Sequence, residues 1–203
     1  MTKFTGNQNH PKKGATIKVY PIRDLGHIET IKQNLMDEPR NYCLFVFGIN
    51  SAFRAIELLS LTIKQVVWLK VGSVLEVWQT KTKKYRAVTI NNNSYHALQF
   101  WLTHHPYRDN PDAPLFISQR KGGAIQVSTL NRLVKTWCIY VGVSVNTGSH
   151  TLRKTWGYQQ RMKGNASVPL LMTAFGHNSE KQTLDYLCIQ ADEVQALYLD
   201  LEL

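Results

Sequence analysis

The chain has 203 residues, with 24 Lys and Arg against 14 Asp and Glu and a net charge of +10. That length suits one domain with a real core, and 43% hydrophobic against 19% charged residues excludes a disordered basic tail. A basic globule favours polyanions, either nucleic acid or anionic membrane, and charge alone does not choose between them.

In chain order, Met1 to about Tyr20 mixes Lys, Gly, Asn and Pro and reads as a flexible basic arm. Leu25, Ile28, Ile31 and Leu35 have helical spacing after Asp24, a plausible N-cap. Residues 40–59 read as a buried helix, a break at Gly48–Asn50 and a second helical run to Leu59. Val66–Leu69, Val74–Trp78 and Arg86–Ile90 are β-branched or alternating, separated by Gly72 and a lysine-rich turn at 81–84. They predict a small antiparallel three-stranded β-sheet. Helix resumes at about 94–104. After a loop with Pro106, Pro111 and Pro114, the apolar Leu115–Ile117 and a Gly122–Gly123 turn, helices are expected near 127–141, 150–163, 167–175, 179–188 and 191–201. The expected fold class is mainly α with this small sheet inserted, an α+β domain.

Cys43, Cys138 and Cys188 form no C-x-x-C and no Cys/His cluster, which argues against a disulfide scaffold or zinc site and for a reducing cytoplasm. The N-terminal residues lack an apolar signal core, so no secretory signal is expected. The longest apolar stretch, Tyr42–Ile49, is too short to span a bilayer, and no membrane partner is expected. Charge is uneven. Residues 1–179 carry 23 basic and 8 acidic side chains, whereas 180–203 carry Lys181 against six acids. Phosphates repel such an acidic, leucine-bearing tail, so it is expected to meet protein.

Phosphate-loop, dinucleotide and H-E-x-x-H motifs are absent from the sequence. Four basic or hydroxyl-bearing motifs stand out instead: Arg54 in RAIELLSL, Lys81 in QTKTKKYRAVTI, His150 and Arg153 in HTLRKT, and His177 and Tyr186 in FGHNSEKQTLDY. His150 and Arg153, at i and i+3 near a helix start, can address one anion together with free backbone N–H groups. Each motif alone has an ordinary reading. Arg54 and Glu57 make a helical ion pair, Lys81, Lys83, Lys84 and Arg86 a solvated turn, His150 a helix cap, His177 a structural histidine and Tyr186 one of nine core tyrosines.

Together, in this order, the four motifs resemble the catalytic domain of the tyrosine recombinases, the phage-integrase family. The likeness covers roughly residues 21–190, and the chain looks like short, catalytic-domain-only members such as fimbrial-switch recombinases. Lys154 stands where the family commonly has His, Trp156 where Phe is frequent, and Phe175 where Leu usually precedes Gly-His. The resemblance implies metal-independent DNA cleavage and rejoining without a cofactor. Arg54 and Arg153 would clamp the phosphate, and Tyr186 would attack as nucleophile. Lys81, chosen over Lys83, would protonate the leaving oxygen, His150 would move the tyrosyl proton, and His177 would hydrogen-bond the phosphate. Lys83, Lys84, Arg86, Arg120, Lys121, Arg132, Lys135 and Lys154 are expected DNA contacts.

The implied organisation is a basic arm at 1–20, the catalytic domain at 21–190, and an acidic-apolar C-terminal helix at 191–203 for contact between protomers. Implied partners are double-stranded DNA, further protomers in a tetramer on two DNA sites, and a host DNA-bending protein or second recombinase. The expected location is the prokaryotic cytoplasm, at the nucleoid. Two alternatives stand beside this reading: a non-catalytic DNA-binding accessory factor that uses the fold to assist another recombinase, and a type IB topoisomerase.

Overall fold

A computed structural model describes residues 18–79, 84–118 and 122–199. Most of the predicted arm, Lys81, Lys83, Arg120, Lys121 and the last four residues lie outside the described residues.

Helix α1 (Leu25–Asn34) begins where Asp24 Oδ1 accepts the Gly26 N–H at 2.7 Å. Helix α2 (Pro39–Ser51) opens on a proline, which loses nothing where the first N–H groups lack helical partners. Its residues Cys43–Phe47 are all buried, so α2 is apolar around its circumference and forms the axis of the main core. The expected break at Gly48–Asn50 is instead helical. A Cβ on Gly48 would lie 2.6 Å from Leu152 Cδ1, so glycine serves close helix packing there. The chain turns at Ala52, which ends α2 in the left-handed region at φ 54°.

Helices α3 (Ala55–Leu59) and α4 (Ile63–Val66) follow. The first of the three expected strands is corrected here. Val66 ends α4, and Val67–Leu69 form the turn after it. Val66 and Leu69 are buried while Val67 and Trp68 are exposed, a three-residue period that a short β-branched run does not reveal. Gln65 Oε1 accepts from the Thr62 N–H at 2.9 Å and closes this segment into a helical turn. Among the described residues the sheet has two strands, β1 (Val74–Gln79) and β2 (Lys84–Thr89), antiparallel with Val77 opposite Arg86. Leu75 and Val77 face inward, while Val74, Trp78 and Tyr85 face out.

Helices α5 (Asn92–His104), α6 (Val127–Tyr140), α7 (Ser149–Met162), α8 (Val168–Phe175), α9 (Glu180–Leu187) and α10 (Gln190–Leu199) complete the domain, close to the expected ranges. α5 and α7 flank α2, and α6 packs on α7. The last residues of the predicted arm are strapped down. Asn146 joins the backbone of Lys18 and Tyr20 at 2.9 Å each, and Thr155 Oγ1 accepts the Ile22 N–H at 2.8 Å. A second, smaller cluster of Ala52, Tyr158, Leu171, Phe175, Leu187 and Ile189 lies under α8 and α9. Gly157 makes it possible, because a Cβ there would stand 2.4 Å from Phe175 Cζ. Among the described residues no helix is long and apolar enough to cross a membrane.

Candidate active site

Five of the six expected catalytic side chains are described, and the fold gathers them from separate segments. Arg54 sits at the N-terminus of α3, where its Nη1 donates to Glu57 Oε1 at 2.7 Å and its backbone N–H to Glu57 Oε2 at 2.7 Å. Glu57 is 4% exposed and also pairs with Arg86 Nε at 3.4 Å. One carboxylate thus sits between two guanidiniums and leaves a surplus of positive charge at the site.

Arg153, 2% exposed on α7, donates from Nη1 to the Ala52 carbonyl and from Nη2 to the Phe175 carbonyl at 2.8 Å. The left-handed turn at Ala52 and the C-terminal end of α8 therefore hold this guanidinium from two sides. It lies 4.7 Å from the Phe175 ring centroid and 6.0 Å from that of Tyr186. Burial brings its pKa down to about 10, with the Tyr186 side chain acting the other way, so it stays cationic at neutral pH.

α8 ends at Gly176 (φ 63°), whose N–H bonds to Thr173 O at 3.0 Å while the His177 N–H bonds to Met172 O at 3.0 Å. This left-handed cap turns the chain so that His177 stacks on Phe175 with centroids 5.2 Å apart and meets the Tyr186 ring edge-on at 5.1 Å. Thr183, fully buried on α9, fixes His177 Nδ1 at 3.0 Å. Burial first, and then Arg153, Arg54 and Arg86, push His177 down to about 4. The ring is neutral at pH 7.

Tyr186 projects from α9 with its hydroxyl 3.5 Å from His150 Nδ1, at the start of α7. Burial raises the Tyr186 pKa, and the neighbouring Arg153, Arg54 and Arg86 partly offset that. His150 is lowered by burial and then by Arg153, Lys154 and Arg54. A neutral imidazole beside a hydroxyl that resists ionisation can accept that hydroxyl's proton. The Arg153 and Arg54 guanidiniums act on both groups, Arg153 from the same helix as His150. Among the described residues no three His, Cys, Asp or Glu side chains gather as metal donors.

The expected DNA contacts divide. Arg132 is exposed and Lys135 half-buried on α6, which meets the site through Asn131 Oδ1, the acceptor of the Ser149 N–H at 3.0 Å. Lys84 opens β2. Arg86 and Lys154 differ from expectation. Arg86 is buried, with Nη1 on the Ala174 carbonyl and Nη2 on the Phe175 carbonyl at 2.9 Å, so its guanidinium is spent inside the protein. Lys154 is buried against Tyr186. In sequence both look like ordinary surface cations, because their acceptors come from elements remote in the chain. Thr183 was also missed as a site residue, although it occupies the first position of the T-x-x-Y spacing.

Comparison with known proteins places the chain in a family. The phage integrase family model matches residues 25–193. The probable integrase/recombinase YoeC of Bacillus subtilis (strain 168) is 33% identical over 185 residues, covering 89% of this chain and 95% of that protein. Among solved structures, XerA recombinase superposes with a TM-score of 0.73 at 20% identity over 95% of this chain. XerH recombinase bound to palindromic difH substrate, in a post-cleavage complex, gives 0.69 at 22% identity over 89%. The chain spans 66% and 52% of those two structures. It belongs to the phage integrase family, and its fold is that of a tyrosine recombinase catalytic domain.

Proposed function

We propose that the protein cuts and rejoins DNA strands through a covalent 3′-phosphotyrosine link formed on Tyr186. The observation that carries this reading is the meeting of Arg54, His150, Arg153, His177 and Tyr186, from four segments of the chain, around one hydroxyl with His150 Nδ1 at 3.5 Å. Tyr186 Oη attacks phosphorus, its proton passes to His150, and the P–O5′ bond breaks. The donors that Arg54 and Arg153 do not spend on Glu57, Ala52 and Phe175 meet the non-bridging oxygens and stabilise the pentacoordinate charge. His177 adds a neutral hydrogen bond. Lys81 is assigned the proton for the departing 5′ oxygen from its place between β1 and β2 in the motif order. Rejoining reverses each step, so bond energy is conserved in the tyrosyl ester.

Double-stranded DNA is the substrate proposed for the +10 chain, with Lys83, Lys84, Arg120, Lys121, Arg132 and Lys135 as backbone contacts. Residues 21–190 form the catalytic domain in this reading. The C-terminal segment from 191 contacts another protomer in a tetramer on two sites. Exposed Val194, Tyr198 and Leu199 on α10 support that contact, while Arg161 ties Glu193 to the parent domain.

A nicked suicide duplex, which loses its short 5′ product and traps the intermediate, tests the chemistry. Wild type should give a covalent adduct on the element-end sequence, and Tyr186→Phe should give none, a loss beyond about 1,000-fold. An undiminished adduct in Tyr186→Phe rejects Tyr186 as nucleophile. Bound DNA with no adduct in wild type favours an accessory role.

A further inference from the structure

Helix α7 carries a second cation on the face that bears His150. Lys154 lies one turn further along and is 6% exposed. Its ammonium stands 4.6 Å from the Tyr186 ring centroid and 3.6 Å from Cys188 Sγ. Among the described residues no carboxylate comes within ion-pair distance of it. Burying an ammonium without a counter-charge is unfavourable, and a lysine normally avoids it by extending its head to water. Here the head is retained over the face of the candidate nucleophile, where the ring quadrupole attracts it.

The groups facing His150 come from every side. Arg153 and Lys154 lie on its own helix, Arg54 at the start of α3 and Tyr186 on α9. Lys18, Lys181 and Asp185 line the same open cleft. Lys154 in turn faces Cys188 and Tyr186 on the α9 side and Lys18 on the N-terminal strap. Its charge therefore lies against the Tyr186 ring and four residues along α7 from the histidine that the Tyr186 hydroxyl meets.

We propose that Lys154 is a positioning residue for strand cleavage, clamping the Tyr186 ring from the α7 side and holding His150 in its neutral, proton-accepting form. This rests on Tyr186 acting as the nucleophile. The ring contact fixes the plane from which Oη reaches phosphorus and leaves the hydroxyl directed at His150. The charge opposes protonation of the imidazole, consistent with the lowered pKa of His150, in which Lys154 takes part after burial and Arg153.

The test uses the full chain as wild type, Lys154→Met, Lys154→Arg and His150→Gln. A proton titration of the histidine C2–H signals without DNA identifies His150 by its loss in His150→Gln. In Lys154→Met that titration should move up by about half a pH unit, and in Lys154→Arg it should stay near wild type. Single-turnover cleavage of the suicide duplex should fall about 10- to 100-fold in Lys154→Met, with its acid limb moved to higher pH by the same amount. Duplex affinity and its salt dependence should be unchanged. An unmoved His150 titration in folded Lys154→Met overturns the proposal. So does a salt slope reduced by about one with the acid limb in place, which makes Lys154 a phosphate contact instead. Failure of wild type to form any adduct rejects the nucleophile reading, while the DNA-free titration still judges the link between Lys154 and His150.

Discussion

Around α2 the interior is closed on every side by apolar side chains such as Leu44, Phe45, Phe47 and Phe116, all fully buried. Under Tyr186 the buried apolar set shrinks, among the described residues, to Ala52, Tyr158, Leu171, Phe175, Leu187 and Ile189. Polar bonds make up the difference there. Arg86 and Arg153 seize the last carbonyls of α8, and Thr183 fixes His177. The first region is held by area removed from water, which tolerates small displacements. The second is held by directional bonds to cations, so the helix that carries Tyr186 is well oriented yet thinly anchored. Local opening is expected to begin at α8 and α9.

The largest stability change should come from cutting the electrostatic tie between the regions. Glu57 belongs to α3, on the main-core side, and pairs with Arg86, which spans to α8. Glu57→Gln leaves buried guanidinium charge without its carboxylate, and urea denaturation should show a loss of about 3 kcal/mol. A loss under about 1 kcal/mol would mean that the two regions do not depend on this tie.

A mid-sized effect should separate the regions. Gly157→Ala drives a Cβ to 2.4 Å from Phe175 Cζ and 2.7 Å from Leu187 Cδ2, both within the small cluster, and should cost about 2 kcal/mol. Amide exchange should accelerate in α8 and α9 while α2 keeps its protection. Gly48→Ala meets Leu152 alone, at 2.6 Å from Cδ1 and 3.4 Å from Cβ and Cγ, and is the comparison in the main core. Equal acceleration of α9 by both variants would erase the distinction.

The smallest effect is pH-dependent. His177 has a folded pKa of about 4, below its ordinary 6.5, so the folded state binds fewer protons than the unfolded chain between those values. Its neutral form supports the site fully above about 6.5, and that support declines as pH falls toward 4. Allowing for the ring's partial exposure, the loss from pH 7 to pH 5 should be about 1 kcal/mol. His177→Asn should flatten that slope in denaturation midpoints. An unaltered slope would place the acid sensitivity elsewhere.

Much of this was legible in the sequence because it is local. Asp24 announces α1, apolar periodicity gives α6 and α7 nearly to the residue, and Gly176 before His177 marks the cap that aims the histidine. Three of the four motifs also supplied the side chains that meet around Tyr186, while Lys81 of the second lies outside the described residues. What escaped was long-range. Gly48 reads as a breaker until Leu152 is seen across from it. Val66–Leu69 reads as a strand until Gln65 closes the turn on Thr62. Arg86 and Lys154 read as DNA contacts because nothing near them in the chain shows that α8 and Tyr186 take up their charges.

The Phe175 carbonyl accepts from Arg86 at 2.9 Å and from Arg153 at 2.8 Å. An sp² oxygen has two lone pairs, and both are committed here to guanidinium groups. Mechanically, that one peptide unit is a shared pivot. Arg153 cannot follow an incoming anion without changing the bond that Arg86 makes, and Arg86 is part of strand β2. Strand β2 and helix α7 are thus joined through one acceptor, the oxygen of a phenylalanine whose ring already stacks on His177.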